Sequence, residues 1–200
     1  MPTPSRPVAF FDMGNVVADF DHALTCQAIS ERHEIPLERV RQALFCPAIE
    51  GRFDRGAVNG TEFTQACNDA LGIQLEPVWF QRVWSDIFRP NPATVALLQE
   101  LKPQYRLVLV SNTNAWHIEQ ARRVVPIDFL FDDQVLSFEI GYAKPEEGFY
   151  RIARALDPTP GKPFFVDDRA ENVAAADSFG FEGVLFSSAE RLRQDKTWRR

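Results

Sequence analysis

The chain has 200 residues, 45% of them hydrophobic and 25% charged, and a formal net charge of −6. Such a chain buries one ordinary core, or a core with a modest insertion, and its acidic balance excludes the basic stripe that a nucleic-acid interface needs. Cys26, Cys46 and Cys67 are odd in number and show no CxxC spacing, which argues against a disulfide framework or a structural zinc site and makes reduced, mostly buried thiols in a cytoplasmic protein the expectation.

The first apolar run, residues 8–12 (VAFFD), has the character of a buried strand; it is stopped by Asp12 and is too short for a signal peptide. No stretch approaches the ~20 apolar residues of a membrane span. Residues 20–32, 37–45, 61–71 and 77–88 then read as helices, with Gly72 placed as a C-terminal cap. The last carries Trp79/Phe80, Val83/Trp84 and Ile87/Phe88 at helical spacing, a stripe expected to lie in a core. Between residues 19 and 90 no run reads as a strand.

After residue 90 the rhythm changes. A helical pattern at 94–101 precedes a strand-like run at 107–111 (LVLVS), and a helix at 115–124 precedes a weaker strand at 134–137. Runs at 163–167 (PFFVD) and 183–186 (GVLF) follow. The clear runs are continuous rather than alternating, as parallel strands covered on both faces are. Basic residues gather at the end (Arg191, Arg193, Lys196, Arg199, Arg200) and read as a solvated terminus. The predicted fold is therefore α/β: a Rossmann-like parallel sheet core, residues 1–18 and 90–200, with a small α-helical cap, residues 19–89, inserted after the first strand.

Asp12, Ser111 and the pair Asp167-Asp168 stand at the carboxyl ends of three of these strands. Carboxylates converging on one edge suit a hard cation such as magnesium, which one or two carboxylates and a substrate phosphate typically hold. Lys144 lies before Pro145, at the expected start of a helix. Beside a carboxylate cluster it is able to neutralise phosphate or steady a nucleophile.

Four short motifs now stand in order: Phe11-Asp12-Met13-Gly14-Asn15-Val16, Val110-Ser111-Asn112-Thr113-Asn114, Ala143-Lys144-Pro145-Glu146 and Val166-Asp167-Asp168-Arg169-Ala170-Glu171-Asn172. Together they resemble the haloacid-dehalogenase-like superfamily across nearly the whole core, and the helical insertion falls where that family carries its α-helical cap. The resemblance implies a magnesium-dependent phosphatase with Asp12 as nucleophile. It implies a metal site of Asp12, the Gly14 carbonyl, Asp168 as direct ligand and Asp167 direct or through water. Ser111, with backbone amides of Met13, Gly14 and Asn112, would bind the phosphoryl oxygens, and Lys144 would balance their charge. Asn172 would orient the acidic loop.

One position departs from the family's phosphatases. They usually carry a second aspartate two residues after the nucleophile, where this chain has Gly14. The Asp-x-Gly-Asn-Val form resembles a bacterial branch that includes α-D-glucose-1-phosphate phosphatases, so the implied partner is a small phosphorylated metabolite, sugar phosphates and among them sugar 1-phosphates. His117, Asp19 and Asp21 are candidates to replace the missing acid, and Arg52 and Arg55 to touch substrate. Glycine is also what a backbone with positive φ demands. Two rival readings stand beside this one. A 2-haloacid dehalogenase of the same superfamily needs no metal, but would leave Asp167 and Asp168 repelling Asp12, and tends to carry an aromatic residue where Gly14 stands. A non-catalytic phosphometabolite-binding protein needs no acid at position 14. Nothing in the sequence sets an oligomeric state.

Overall fold

The structure is a computed structural model describing residues 6–157 and 159–195. It opens with β1 (Val8–Asp12), buried along its whole length, and β2 (Ala18–Phe20). Five helices follow: α1 (His22–His33), α2 (Leu37–Leu44), α3 (Glu50–Phe53), α4 (Gly60–Leu71) and α5 (Pro77–Ser85). Then come β3 (Phe88–Pro90), α6 (Pro92–Leu101), β4 (Arg106–Ser111), α7 (Ala115–Val124), α8 (Ile127–Leu130), β5 (Asp133–Leu136) and α9 (Ser137–Ile140). The chain ends its described part with α10 (Glu147–Ala155), β6 (Phe164–Asp167), α11 (Ala170–Ser178), β7 (Glu182–Leu185) and α12 (Ala189–Gln194).

The five long-range strands form one parallel sheet in the order β5-β4-β1-β6-β7. The alternation of side chains along β1 divides the core in two. Ala9 and Phe11 join Leu107, Leu109 and Val166 in a layer under α6 and α7, while Val8 and Phe10 join Val108, Val110 and Phe165 under α10 and α11. Because both faces are covered, the strands read as unbroken apolar runs. The chain steps from β1 to β4 and β5 on one side, then returns to β6 on the other. β1 and β6 thus flank the point where strand order reverses, the crevice at which open sheets bind ligands.

The helices α1 to α5 carry a separate apolar cluster that includes Cys26, Ile29, Val40, Leu44, Phe63, Phe80 and Trp84. Local chemistry sets their ends. Asn59 and Glu62 close a capping box on α4, and Gly72 ends it in the left-handed region at φ 71°. Glu76 caps α5, whose first residue is Pro77. One expectation needs correction here. Residues 19–90 do contain strand: β2 and β3 pair antiparallel, Ala18 with Pro90 and Phe20 with Phe88. Three-residue strands give no periodicity, and residues 20 and 86–88 leave the helices they were assigned to because this ribbon, where the chain leaves and re-enters the sheet, captures them. The aromatic stripe lies in the core as expected but divides, Phe80 and Trp84 entering the helical cluster while Ile87 and Phe88 join the core of the sheet and also line the cleft described below.

The three cysteines are free, Cys26 and Cys67 buried. Of the basic tail, Arg193 pairs with Glu100 at 2.7 Å; Lys196, Arg199 and Arg200 lie outside the described residues. No helix among the described residues is long and apolar enough to cross a membrane.

Candidate active site

The carboxyl ends of β1, β4 and β6 meet on a buried lysine. Lys144 Nζ lies 2.8 Å from Asp12 Oδ1 and donates to Asp167 Oδ2 at 2.7 Å and to the Val110 carbonyl at 3.2 Å. An ammonium has three protons, and all three are used. Burial opposes the lysine's charge, but Asp12 and Asp167 outweigh it, and its pKa is raised. The expectation of a lysine at a helix start needs adjusting, since α10 begins only at Glu147. What holds Lys144 is Asn112: its Oδ1 accepts from the Lys144 N–H at 2.7 Å and its Nδ2 donates to the Lys144 carbonyl at 2.8 Å.

Each aspartate is differently engaged. Asp12 Oδ1 takes both Lys144 and the Met13 N–H, the latter at 2.7 Å, which leaves Oδ2 without a hydrogen-bond partner among the described residues. Burial pushes the Asp12 carboxyl above its usual range, Lys144 opposes this, and Asp167 adds to the rise. Asp167 is wholly buried, and its Oδ1 accepts from the Arg169 N–H and from Asn172 Nδ2, each at 2.9 Å. Asp168 is partly exposed, and its Oδ2 accepts from Asn15 Nδ2 at 3.0 Å. Asp12, Asp167 and Asp168 each offer an oxygen within 4.8 Å of the others, an arrangement able to hold a cation. Asn172 is buried against Asp167 rather than set on a helix surface. Ser111 is buried, its hydroxyl 3.4 Å from the Asn112 carbonyl.

Gly14 does not have a positive φ; in this turn the positive value is at Asn15, φ 55°. The reason for glycine is steric. A Cβ at position 14 would stand 2.6 Å from Phe20 Cε1, far inside contact distance. An aspartate there therefore requires the Phe20 ring to move. Gly14→Asp alone is expected to lower stability by about 1–3 kcal/mol, as overpacking does, and Phe20→Ala in the same chain to relieve that strain. Thermal unfolding of the two variants checks this; equal midpoints would contradict it.

Above this floor is a cleft of about 260 Å³. Its floor includes Asp12, Gly14, Ser111, Asn112, Lys144 and Asp168; its roof is made by Phe20, His22, Glu50, Asp54, Ile87 and Phe88. Asp54 Oδ1 accepts from Asn114 Nδ2 at 2.8 Å, and Arg55 pairs with Glu146 at 2.6 Å, so α3 is tied to the loops after β4 and before α10. His117 also lines the cleft, but its Nε2 lies 3.0 Å from the Trp84 carbonyl and its Nδ1 3.1 Å from Asn114 Nδ2. Those partners fix a neutral ring, and burial with nearby His22 brings its pKa down to about 3. As a proton donor at neutral pH it is therefore poor. Asp21 caps α1 through the Ala23 N–H. Asp19, Asp21, Arg52 and Arg55 are not among the residues lining the cleft. Phe20, His22, Glu50 and Asp54 belong to no motif, and only the four-residue spacing of Glu50 and Asp54 hints in the sequence that two acids share one side of a helical turn.

A parallel α/β sheet with acids at the ends of β1 and β6 and a lysine between them defines a class of hydrolase. The chain belongs to the haloacid dehalogenase-like hydrolase family, which it matches over residues 7–180. It is 28% identical over 183 residues to the sesquiterpene phosphatase astK of Aspergillus oryzae (strain ATCC 42149 / RIB 40), a match covering 88% of this chain and 87% of that protein. Its fold resembles the HAD family enzyme bt-2542 of Bacteroides thetaiotaomicron, in complex with magnesium and inorganic phosphate, at TM-score 0.80 and 20% identity over 92% of this chain and 96% of that one. It also resembles the L-2-haloacid dehalogenase of Xanthobacter autotrophicus with chloropropionic acid covalently bound, at TM-score 0.62 and 17% identity over 88% of this chain and 75% of that one. At such identities the two structures bear on the fold alone.

Proposed function

We propose that the protein is a magnesium-dependent phosphatase that hydrolyses small phosphomonoesters through an aspartyl-phosphate on Asp12. The observation that carries this is the aspartate trio, two of whose members Lys144 bridges. Three carboxylates stand within 4.8 Å of one another, with Lys144 the single cation among the described residues bonded to any of them. That excess of negative charge at a buried edge fits a divalent cation, and all donors are oxygen, as magnesium prefers. Asp12, Asp168 and the Gly14 carbonyl would hold it, with Asp167 direct or through water. Bound there, magnesium offsets the charge of a phosphoryl group beside the carboxylates.

The protein's own groups divide the remaining work. Asp12 Oδ2 attacks phosphorus while Oδ1 stays on Lys144 and the Met13 N–H. Ser111 and the backbone amides of Gly14 and Asn112 would bind the phosphoryl oxygens. The Met13 amide, assigned to the same task from the resemblance, is directed at Asp12 itself. Asn172 and the Arg169 N–H hold Asp167 in place for Lys144. We further propose that residues 19–89 are a cap on a core of residues 1–18 and 90–200. Its closure over the cleft through the β2–β3 ribbon would exclude water from the first step. Free cysteines support a cytoplasmic setting.

The Asp-x-Gly-Asn-Val form around Gly14 supports sugar 1-phosphates over the matching 6-phosphates. A second substrate reading, a prenyl-type phosphate, is favoured by the apolar wall of Phe20, Ile87 and Phe88 and by the name of the Aspergillus relative. Rates on glucose 1-phosphate, glucose 6-phosphate and farnesyl phosphate separate the two. For the reaction itself, phosphate release from an aryl phosphate is expected to vanish with excess chelator, return with magnesium and be inhibited by calcium, whose looser shell spoils the geometry. Undiminished release in chelator would contradict the metal site. Halide release from 2-chloropropionate would revive the dehalogenase, and no release of either kind the binding protein.

A further inference from the structure

The leaving group has no proton donor at position 14, and Phe20 closes the space where one would stand. The acids that face the cleft from its roof are Glu50 and Asp54, one helical turn apart. Asp54 is positioned from the sheet side. Asn114, fully buried in the loop after Ser111, donates to Asp54 Oδ1 at 2.8 Å. Asp54 Oδ2 is left without a hydrogen-bond partner among the described residues. Glu50 lies beside α1, its Oε1 3.8 Å from His22 Nε2.

The neighbouring groups do not neutralise this pair. Burial brings the pKa of His22 down to about 4 against the opposing charge of Asp21, and His117 is neutral for the reasons given. Arg55 is bonded to Glu146, and Arg169, which also lines the cleft, to Glu171. On the floor, the Lys144 ammonium is spent on Asp12 and Asp167. Burial raises both carboxyls; the charge of Asp54 raises Glu50 further, while Asn114 and Arg55 restrain Asp54. Two acids one helical turn apart on one cleft wall are able to share a proton.

We propose that Glu50 and Asp54 are one proton-transferring unit above Asp12, with Glu50 the donor to the leaving-group oxygen. The inference rests on the phosphatase reading. In the first step the Asp12 Oδ2–phosphorus bond forms, the bond from phosphorus to the leaving oxygen breaks, and the Glu50 proton passes to that oxygen. In the second, water attacks phosphorus, its proton returns to Glu50, and the Asp12–phosphorus bond breaks to release phosphate. Asp54, held by Asn114, keeps the Glu50 proton in place by its negative charge.

The test is single-turnover phosphorylation of the full chain with magnesium, using p-nitrophenyl phosphate and glucose 6-phosphate across pH. Glu50→Gln is expected to lower the ratio of the sugar rate to the aryl rate by about 10²-fold or more and to remove the fall of the sugar rate at alkaline pH. Asp54→Asn withdraws the charge that raises Glu50, so it is expected to move that alkaline fall to lower pH. An unchanged ratio in Glu50→Gln, or a weaker KM with ratio and pH limb intact, overturns the proposal and leaves the pair as substrate-binding groups. Should Glu50→Gln fail to fold, the wild type and Asp54→Asn decide it, through an alkaline limb seen with the sugar phosphate and absent with the aryl phosphate. Asp12→Asn separates the two levels: activity surviving in that variant sinks the phosphatase reading, and this one with it, whereas its loss alongside an unchanged Glu50→Gln ratio sinks this inference alone.

Discussion

Asp12→Asn is expected to lower turnover by about 10⁴–10⁶-fold, the scale on which a nucleophile within a catalytic unit is lost, and to leave the fold intact. The geometry explains both halves. The Asp12 Oδ1 bonds to Lys144 and to the Met13 N–H survive in an asparagine, because its amide oxygen accepts both. The amide nitrogen then replaces Oδ2, and an amide nitrogen has no free lone pair for phosphorus. Thermal unfolding reports the fold and phosphate release the activity. A folded variant that keeps more than a few per cent of activity removes Asp12 from the chemistry.

Lys144→Met is expected to cost more in stability than any surface change and to abolish activity. Its ammonium is almost inaccessible and serves two aspartates and a carbonyl. Removing one partner of such a buried cluster typically costs about 3–5 kcal/mol, because the remaining charges stay uncompensated, and for a chain of this size that is a fall of about 10 °C in midpoint. The sign with pH follows. Without the lysine the folded-state pKa of Asp12, already raised by burial, rises further above its unfolded value near ~4. Folding then binds protons, so the loss is smallest in acid and grows as pH rises through the carboxylate range. Magnesium is expected to restore part of it, since a divalent cation replaces the missing charge. A pH-independent loss that magnesium leaves unchanged would show that Lys144 acts by packing alone.

The sheet and the floor of the site were legible in the sequence for one reason. Strands buried on both faces read as unbroken apolar runs, and a polar residue ending such a run stands at the edge where open sheets bind ligands. That is enough to bring Asp12, Ser111 and Asp167 together. Asp133–Leu136 and Glu182–Leu185, at the two sheet edges, are less fully buried and emerged one residue out of step. The roof was not legible. His22, Glu50 and Asp54 belong to three-dimensional packing of helices whose register on the sheet is fixed by Asn114–Asp54 and Arg55–Glu146 contacts across 60 and 91 residues. His117 had the right chemistry in isolation; its loss of basicity comes from the Trp84 carbonyl and from burial, neither of which adjoins it in sequence. Gly14 shows in the sequence as a position without an acid, but the Phe20 ring that crowds a side chain there is brought in only by the β2–β3 ribbon.

The central claim is a covalent bond between Asp12 and phosphorus, and trapping it is the most direct measurement. The protein is mixed with excess aryl phosphate and magnesium, quenched in acid within one turnover, digested, and the peptide containing Asp12 is weighed. The account predicts a mass gain of one phosphoryl group on Asp12, removed by hydroxylamine as an acyl phosphate is, and absent without magnesium. Phosphate released with no label on Asp12 at any quench time, or a label on another residue, would contradict it.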